Sequence, residues 1–169
     1  MRGRILEDAF AHHVWATLRL FDVCEGLDPG QRDASAEGTY GSILDTMRHI
    51  VGADASYLNV MSGGAVPRID EETMELAELR TTMERHWDAW RKVLASDPNP
   101  RTMLVRHRDD GSETHAPFSI RLAQALHHGS DHRSQVCTVL TTLGVEPPEI
   151  DVWDFGLVRG KVTETPATG

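Results

Sequence analysis

The sequence predicts an all-α fold: a four-helix bundle with a small β-hairpin inserted before the fourth helix. Three observations carry this expectation. Four stretches of about 20 to 28 residues repeat apolar side chains at three- and four-residue steps, the period of one buried helix face. Clusters of Asp, Pro, Gly and Ser close the stretches and keep the connections short or medium, as in helix bundles. The chain has 169 residues, the size of one domain with its own core. No internal repeat, low-complexity tract or linker divides it, so residues 1–169 are expected to form a single domain with a loose tail from about residue 160.

The first helix is expected from about Ile5 to Leu27, with Leu6, Phe10, His13, Thr17, Leu20 and Cys24 on one stripe and Asp28-Pro29-Gly30 as its stop. The second runs from about Tyr40 to Met61. Ile43, Leu44, Met47, Ile50, Val51, Leu58 and Met61 form its apolar side, and Ser62-Gly63-Gly64 ends it. The third opens with Asp70 as N-cap, and Glu71 and Glu72 suit the positive end of the helix dipole. Its stripe is Leu76, Leu79, Met83, Trp87, Trp90 and Leu94, broken by Asp97-Pro98-Asn99-Pro100. Thr102 to Arg108 and Glu113 to Ala116 then flank Asp109-Asp110-Gly111-Ser112, the chemistry of a hairpin turn. The fourth helix is expected from about Ser119 to Leu143, with Leu122, Ala125, Gly129, His132, Val136, Val139 and Leu143 on its stripe and Gly144 as its stop. Ile150 to Leu157 is expected to lie across the bundle.

Composition narrows the function. The 17 Lys plus Arg against 26 Asp plus Glu give a net charge of −9, the opposite of the basic footprint that phosphate binding needs, so no nucleic-acid partner is expected. No apolar run approaches the roughly 20 residues that span a bilayer. The N-terminus, basic for four residues and then acidic, does not build a signal peptide. The expectation is a cytoplasmic protein without a membrane partner. Cys24 and Cys137 lie inside helical segments without CxxC spacing, which reads as buried free thiols.

The nine histidines hold the chemistry. His128 and His132 stand one turn apart on the fourth helix, about 40° around its axis, so both imidazoles can converge on one ion. Imidazoles in a bundle core need partners, and a metal ion accepts an electron pair from both. A third donor has to come from a neighbouring helix. His49 qualifies, flanked by the small or polar residues Ser42, Asp45, Thr46, Gly52, Ala53 and Ser56, a face that fits a cavity wall and equally a solvated surface. Each remaining histidine reads as structural or solvated: His12, His13, His86, His107, His115 and His127. A zincin protease needs His-Glu-xx-His, but Gly129 occupies the glutamate's place. A di-iron bundle needs Glu-xx-His on two helices, and the sequence contains none.

These residues resemble the DinB-like (damage-inducible, metal-binding) family. Asp45-Thr46-Met47-Arg48-His49-Ile50-Val51-Gly52-Ala53 is similar to its second-helix motif, and His128-Gly129-Ser130-Asp131-His132-Arg133-Ser134-Gln135 to its fourth, with Ser134 where the family usually has glycine. His13 to Leu20 and Val152-Trp153-Asp154-Phe155 are similar too. The resemblance implies an up-down-down-up bundle, a metal triad of His49, His128 and His132, and a homodimer. It also implies kinship with thiol-dependent transferases and isomerases, and hence use of a low-molecular-weight thiol.

Three neutral imidazoles leave a divalent ion its full charge and an open position, the arrangement of catalytic sites. All-nitrogen ligation suits zinc or nickel first and also iron or copper. The functional expectation is a metal-dependent thiol S-transferase or hydrolase acting on a small molecule. The alternative is a non-catalytic metal-binding or stress-linked interaction module, because no general base or nucleophile can be named from the sequence. Asp45, Gln124 and Gln135 are candidates to orient the ligands. The reading requires the three rings to meet within about 6 Å of a shared point.

Overall fold

A computed structural model describes residues 2–165. The fold is mostly helical with one small two-stranded antiparallel hairpin. Its four long helices are α1 (Arg2–Cys24), α3 (Ile43–Met61), α4 (Leu76–Ala95) and α5 (Phe118–Thr142). Short helices α2 (Pro29–Arg32) and α6 (Val152–Val158) and strands β1 (Met103–His107) and β2 (Glu113–Pro117) complete the described elements, with one 3₁₀ turn at Glu71–Thr73. Residues 166–169 of the expected tail lie outside the described residues.

Both α1 and α3 pack against α4 and α5. Phe10, Leu20, Phe21, Ile43, Met47, Ile50, Leu58, Leu79, Met83, Trp90 and Leu140 are fully buried between them. Phe10 of α1 and Trp90 of α4 bring their ring centroids within 4.3 Å, a contact worth about 0.5–1.5 kcal/mol beyond the area it buries. Among the described residues, no helix is long and apolar enough to cross a membrane.

The helix ends differ from expectation where local capping outcompetes the apolar pattern. Asp28-Pro29-Gly30 stops α1, but it also starts α2: Asp28 and Gln31 form a reciprocal capping box, and Pro29 sits in the first turn, where its missing N–H costs nothing. The second long helix begins at Ile43, because Ser42 and Asp45 form another capping box. Tyr40 is left outside the helix. The third begins at Leu76, with Glu75 as N-cap and Glu78 bonding back to it, whereas Asp70 makes no side-chain cap and introduces only the 3₁₀ turn.

The hairpin pairs Met103 with Pro117 and His107 with Glu113, within a residue or so of the expected flanking segments. Gly144, at φ 72°, follows α5 as expected. Within α5, however, the buried face is rotated from the expected stripe. Phe118, Arg121, Ala125, Gly129, Arg133, Val136 and Val139 line it, while His132 is only half-buried. Helix α6 packs on α1, where the Ile150 carbonyl meets His12 Nε2 at 2.8 Å. Cys24 is a buried free thiol, pushed up to about 12 by burial. Cys137 is free and half-buried, its thiol also raised by burial.

Candidate metal centre

His49 is on the second turn of α3, and His128 and His132 are in the middle of α5, which packs against it; Tyr57 meets His128, and Tyr40 meets His132. Each of the three histidines offers a ring nitrogen, and these nitrogens lie within 4.8 Å of one another. Ring centroids are 4.8 Å apart for His49 and His128, 4.7 Å for His49 and His132, and 4.4 Å for His128 and His132. All three rings are half-buried. The sequence-based requirement of a common meeting point is therefore satisfied.

The donor chemistry fits a metal ion. Nε2 of His49 and Nε2 of His128 face each other at 2.9 Å, so at least one of the two presents a lone pair. Burial, followed by the neighbouring His132, lowers the His49 pKa. Burial, then His132 and His49, lowers His128 to about 4. Both rings are thus neutral near pH 7, the state that ligates. Nitrogens around a tetrahedral ion with bonds of about 2.0–2.1 Å lie about 3.3–3.4 Å apart, a separation between the 2.9 Å of the His49–His128 pair and the 4.8 Å that bounds the group. A three-histidine group that could hold a metal ion is a property of this fold.

Gln135 orients one member. Its Oε1 lies 3.1 Å from His132 Nδ1 and 2.9 Å from the Tyr40 backbone N–H. An amide oxygen only accepts, so the His132 proton sits on Nδ1 and Nε2 is left as the free donor. Tyr40 stacks on His49 with centroids 4.1 Å apart and planes at 12°, and meets His132 edge-on at 5.3 Å. Gln135 is thus in contact with one ring of the group. Asp45 instead caps α3, its carboxylate accepting from the Ser42 hydroxyl. The Gln124 amide points to the Tyr57 hydroxyl at 3.4 Å.

Sequence reasoning missed three features. Tyr40 is expected to open a helix but precedes α3 and stacks on His49 instead. Glu71, in the 3₁₀ turn, seats its carboxylate over Gly52, where a Cβ would lie 2.3 Å from Glu71 Cδ. That notch exists because Gly52 has no side chain. Glu71 borders two cavities that His49 also borders, of about 460 and 180 Å³. The third feature lies beneath the triad, where a buried polar chain joins all four long helices. Arg133 Nη1 donates to His13 Nδ1 at 3.0 Å, and His13 Nε2 lies 3.1 Å from Asp54 Oδ1. His86 Nδ1 lies 2.7 Å from Asp54 Oδ2, and Trp90 Nε1 donates to both oxygens. His13 and His86 are thus structural, as expected of them, through a carboxylate that the sequence did not single out. His107 and His115 both meet Glu113, and His127 is exposed.

Comparison with known proteins places this arrangement in a family. No curated protein matches the chain. A model of the DinB family matches residues 3–158, a span that includes all three histidines, Gln135 and the Asp54 chain. The chain belongs to the DinB family.

Proposed function

We propose that the chain binds one divalent metal ion through His49, His128 and His132 and is a metal-dependent enzyme of the thiol S-transferase or hydrolase kind. The single observation that carries this reading is the convergence of three ring nitrogens within 4.8 Å on a site that no fourth protein ligand closes among the described residues. Three protein ligands are the pattern of catalytic zinc sites, whereas structural sites take four. The donor set suits zinc or nickel, and iron or copper also fit.

A divalent ion held there would supply Lewis acidity, lowering the pKa of a bound thiol or water or polarising a carbonyl. The chain's own residues do the rest. Gln135 holds His132 in the tautomer that presents Nε2. The Tyr40 ring covers one face of His49 and screens it from solvent. Glu71 offers a carboxylate oxygen at the cavity wall as proton acceptor.

The finer architecture belongs to the same proposal: an up-down-down-up bundle, a homodimer and a cytoplasmic location. The helix order is supported by Arg80 of α4 pairing with Asp22 near the end of α1, by Arg48 of early α3 pairing with Glu75 just before α4, and by Tyr57 of α3 meeting Gln124 of early α5. Elemental analysis of protein purified without a histidine tag tests the central claim. About one equivalent of metal in the wild type and a loss in His128→Ala is the expected result. Metal-free wild type that also takes up neither zinc nor nickel on dialysis would overturn it.

A further inference from the structure

The cavity of about 180 Å³ bordered by His49 and His128 has Arg68 and Arg106 at its wall. A second cavity, about 250 Å³, is bordered by the same two arginines and shares Ser56 with the first. Arg68, Arg106 and Ser56 therefore stand where the cavities meet. A small molecule whose one end reaches the histidines has its other end beside Arg68 and Arg106. Each compartment is smaller than the roughly 300–1,000 Å³ of drug-sized sites, which restricts the occupant to a few heavy atoms in each.

The charge at this junction is only partly neutralised by the protein. The chain carries −9 overall, yet Arg106 has no carboxylate partner among the described ion pairs. Arg68 meets only Asp109 at 3.4 Å, and that carboxylate is 90% exposed, so the pair is weak and readily exchanged for a ligand. Behind the hairpin, Arg121 is buried. It donates to the carbonyls of Leu104 and Thr114 and to no carboxylate; burial, then the charge of Arg106, lowers its pKa. Three arginines thus give this end a positive field, and the low-dielectric walls focus it. Guanidinium forks match the two oxygens of a carboxylate. Glu71 on the same wall disfavours a doubly charged phosphate.

We propose that this trough binds a small organic acid, its carboxylate held by Arg68 and Arg106 and its reactive group directed to His49, His128 and His132. The assignment rests on the metal-site reading above and adds the substrate class to it. The test measures binding of ω-mercaptocarboxylates, from mercaptoacetate to 6-mercaptohexanoate, to the zinc-loaded full chain by titration calorimetry. Each acid is compared with the mercaptoalcohol of equal length, which has the same thiol without the charge. At least one acid is expected to bind about tenfold tighter than its alcohol, and Arg106→Gln or Arg68→Gln should bring that ratio close to one. A ratio near one at every length, or a ratio that both variants leave unchanged, overturns the proposal. If zinc does not bind, the metal reading fails by itself. The trough is then judged by glutarate titrated into the metal-free chain: binding lost in Arg106→Gln supports it, and no binding to wild type refutes it.

Discussion

Arg133 Nη1 lies 3.0 Å from His13 Nδ1, and because a guanidinium cannot accept a hydrogen bond, Nδ1 must be the acceptor. The His13 proton therefore sits on Nε2 and faces Asp54 at 3.1 Å. Charge on α5 is balanced by charge on α3 through a ring on α1. Both ends are buried, with Asp54 2% and Arg133 4% exposed. Arg133 adjoins His132, so the chain beneath the triad also fixes the height of α5 against α3. Gly129 makes the contact possible: a Cβ there would lie 2.4 Å from His13 Cε1 and 2.9 Å from Arg133 Nη1.

Gly129→Ala is accordingly expected to destabilise the protein by about 1–3 kcal/mol, the usual cost of overpacking a core. Helix propensity alone predicts the opposite sign, a gain of about 1 kcal/mol. Urea unfolding at neutral pH decides between them. A more stable alanine variant would show that His13 and Arg133 do not hold the positions described.

Asp54→Asn removes the negative end and leaves Arg133 buried without its counter-charge, a loss of about 3–5 kcal/mol. The pH dependence has a definite sign. Burial alone raises the Asp54 pKa, but the electrostatic pull and hydrogen bonds of the His13 and His86 rings outweigh it and hold the carboxyl well below the usual range. With the folded-state pKa depressed, the unfolded chain binds more protons as pH falls past about 4. The stabilisation is present above that pH and drains away below it. Acid titration of stability should therefore be steep for wild type below pH 4 and flatter for Asp54→Asn; parallel curves would contradict the assignment.

His128 acts in a different pH window. Its unfolded ring takes a proton near 6.5, its folded ring only at about 4, chiefly through burial. Between those values the unfolded state binds more protons, so the stability of the metal-free protein should rise with pH. His128→Ala should flatten that rise. The check is the midpoint of chemical unfolding measured from pH 4.5 to 7, with chelator present throughout.

Where chemistry depends on local spacing, the sequence was legible. His128 and His132 are one turn apart on any helix, and Asp109-Asp110-Gly111-Ser112 makes a turn wherever it occurs, so both survived folding as expected. Interactions assembled from distant segments were not. Asp54 sits among small residues on α3 and looks like part of a solvated face until His13, His86 and Trp90 arrive from two other helices. Arg133 is charged, and charged residues are seldom buried unless paired; its counter-charge, Asp54, lies on another helix and the ring that joins them, His13, on a third. Asp70-Glu71-Glu72 imitates a helix start, but the Glu75–Glu78 capping box lies closer to the apolar stripe and prevailed. That displacement freed Glu71 to reach Gly52, a contact that no periodicity encodes.

Gln135 gives the sharpest test of how the triad is held. Its one amide oxygen accepts from His132 Nδ1 and from the Tyr40 N–H, so it sets a ligand's tautomer and anchors the ring stacked on His49. Removing such an orienting partner typically lowers metal affinity by about 10–100-fold. Gln135→Leu is expected to lose that much zinc affinity in competition with a chromophoric chelator, with little change in metal-free stability, because residue 135 is only half-buried. Gln135→Glu keeps an acceptor oxygen in the same place and should recover most of the affinity. Equal zinc affinity in all three proteins would mean that His132 orients itself, and the role assigned to Gln135 would have to be withdrawn.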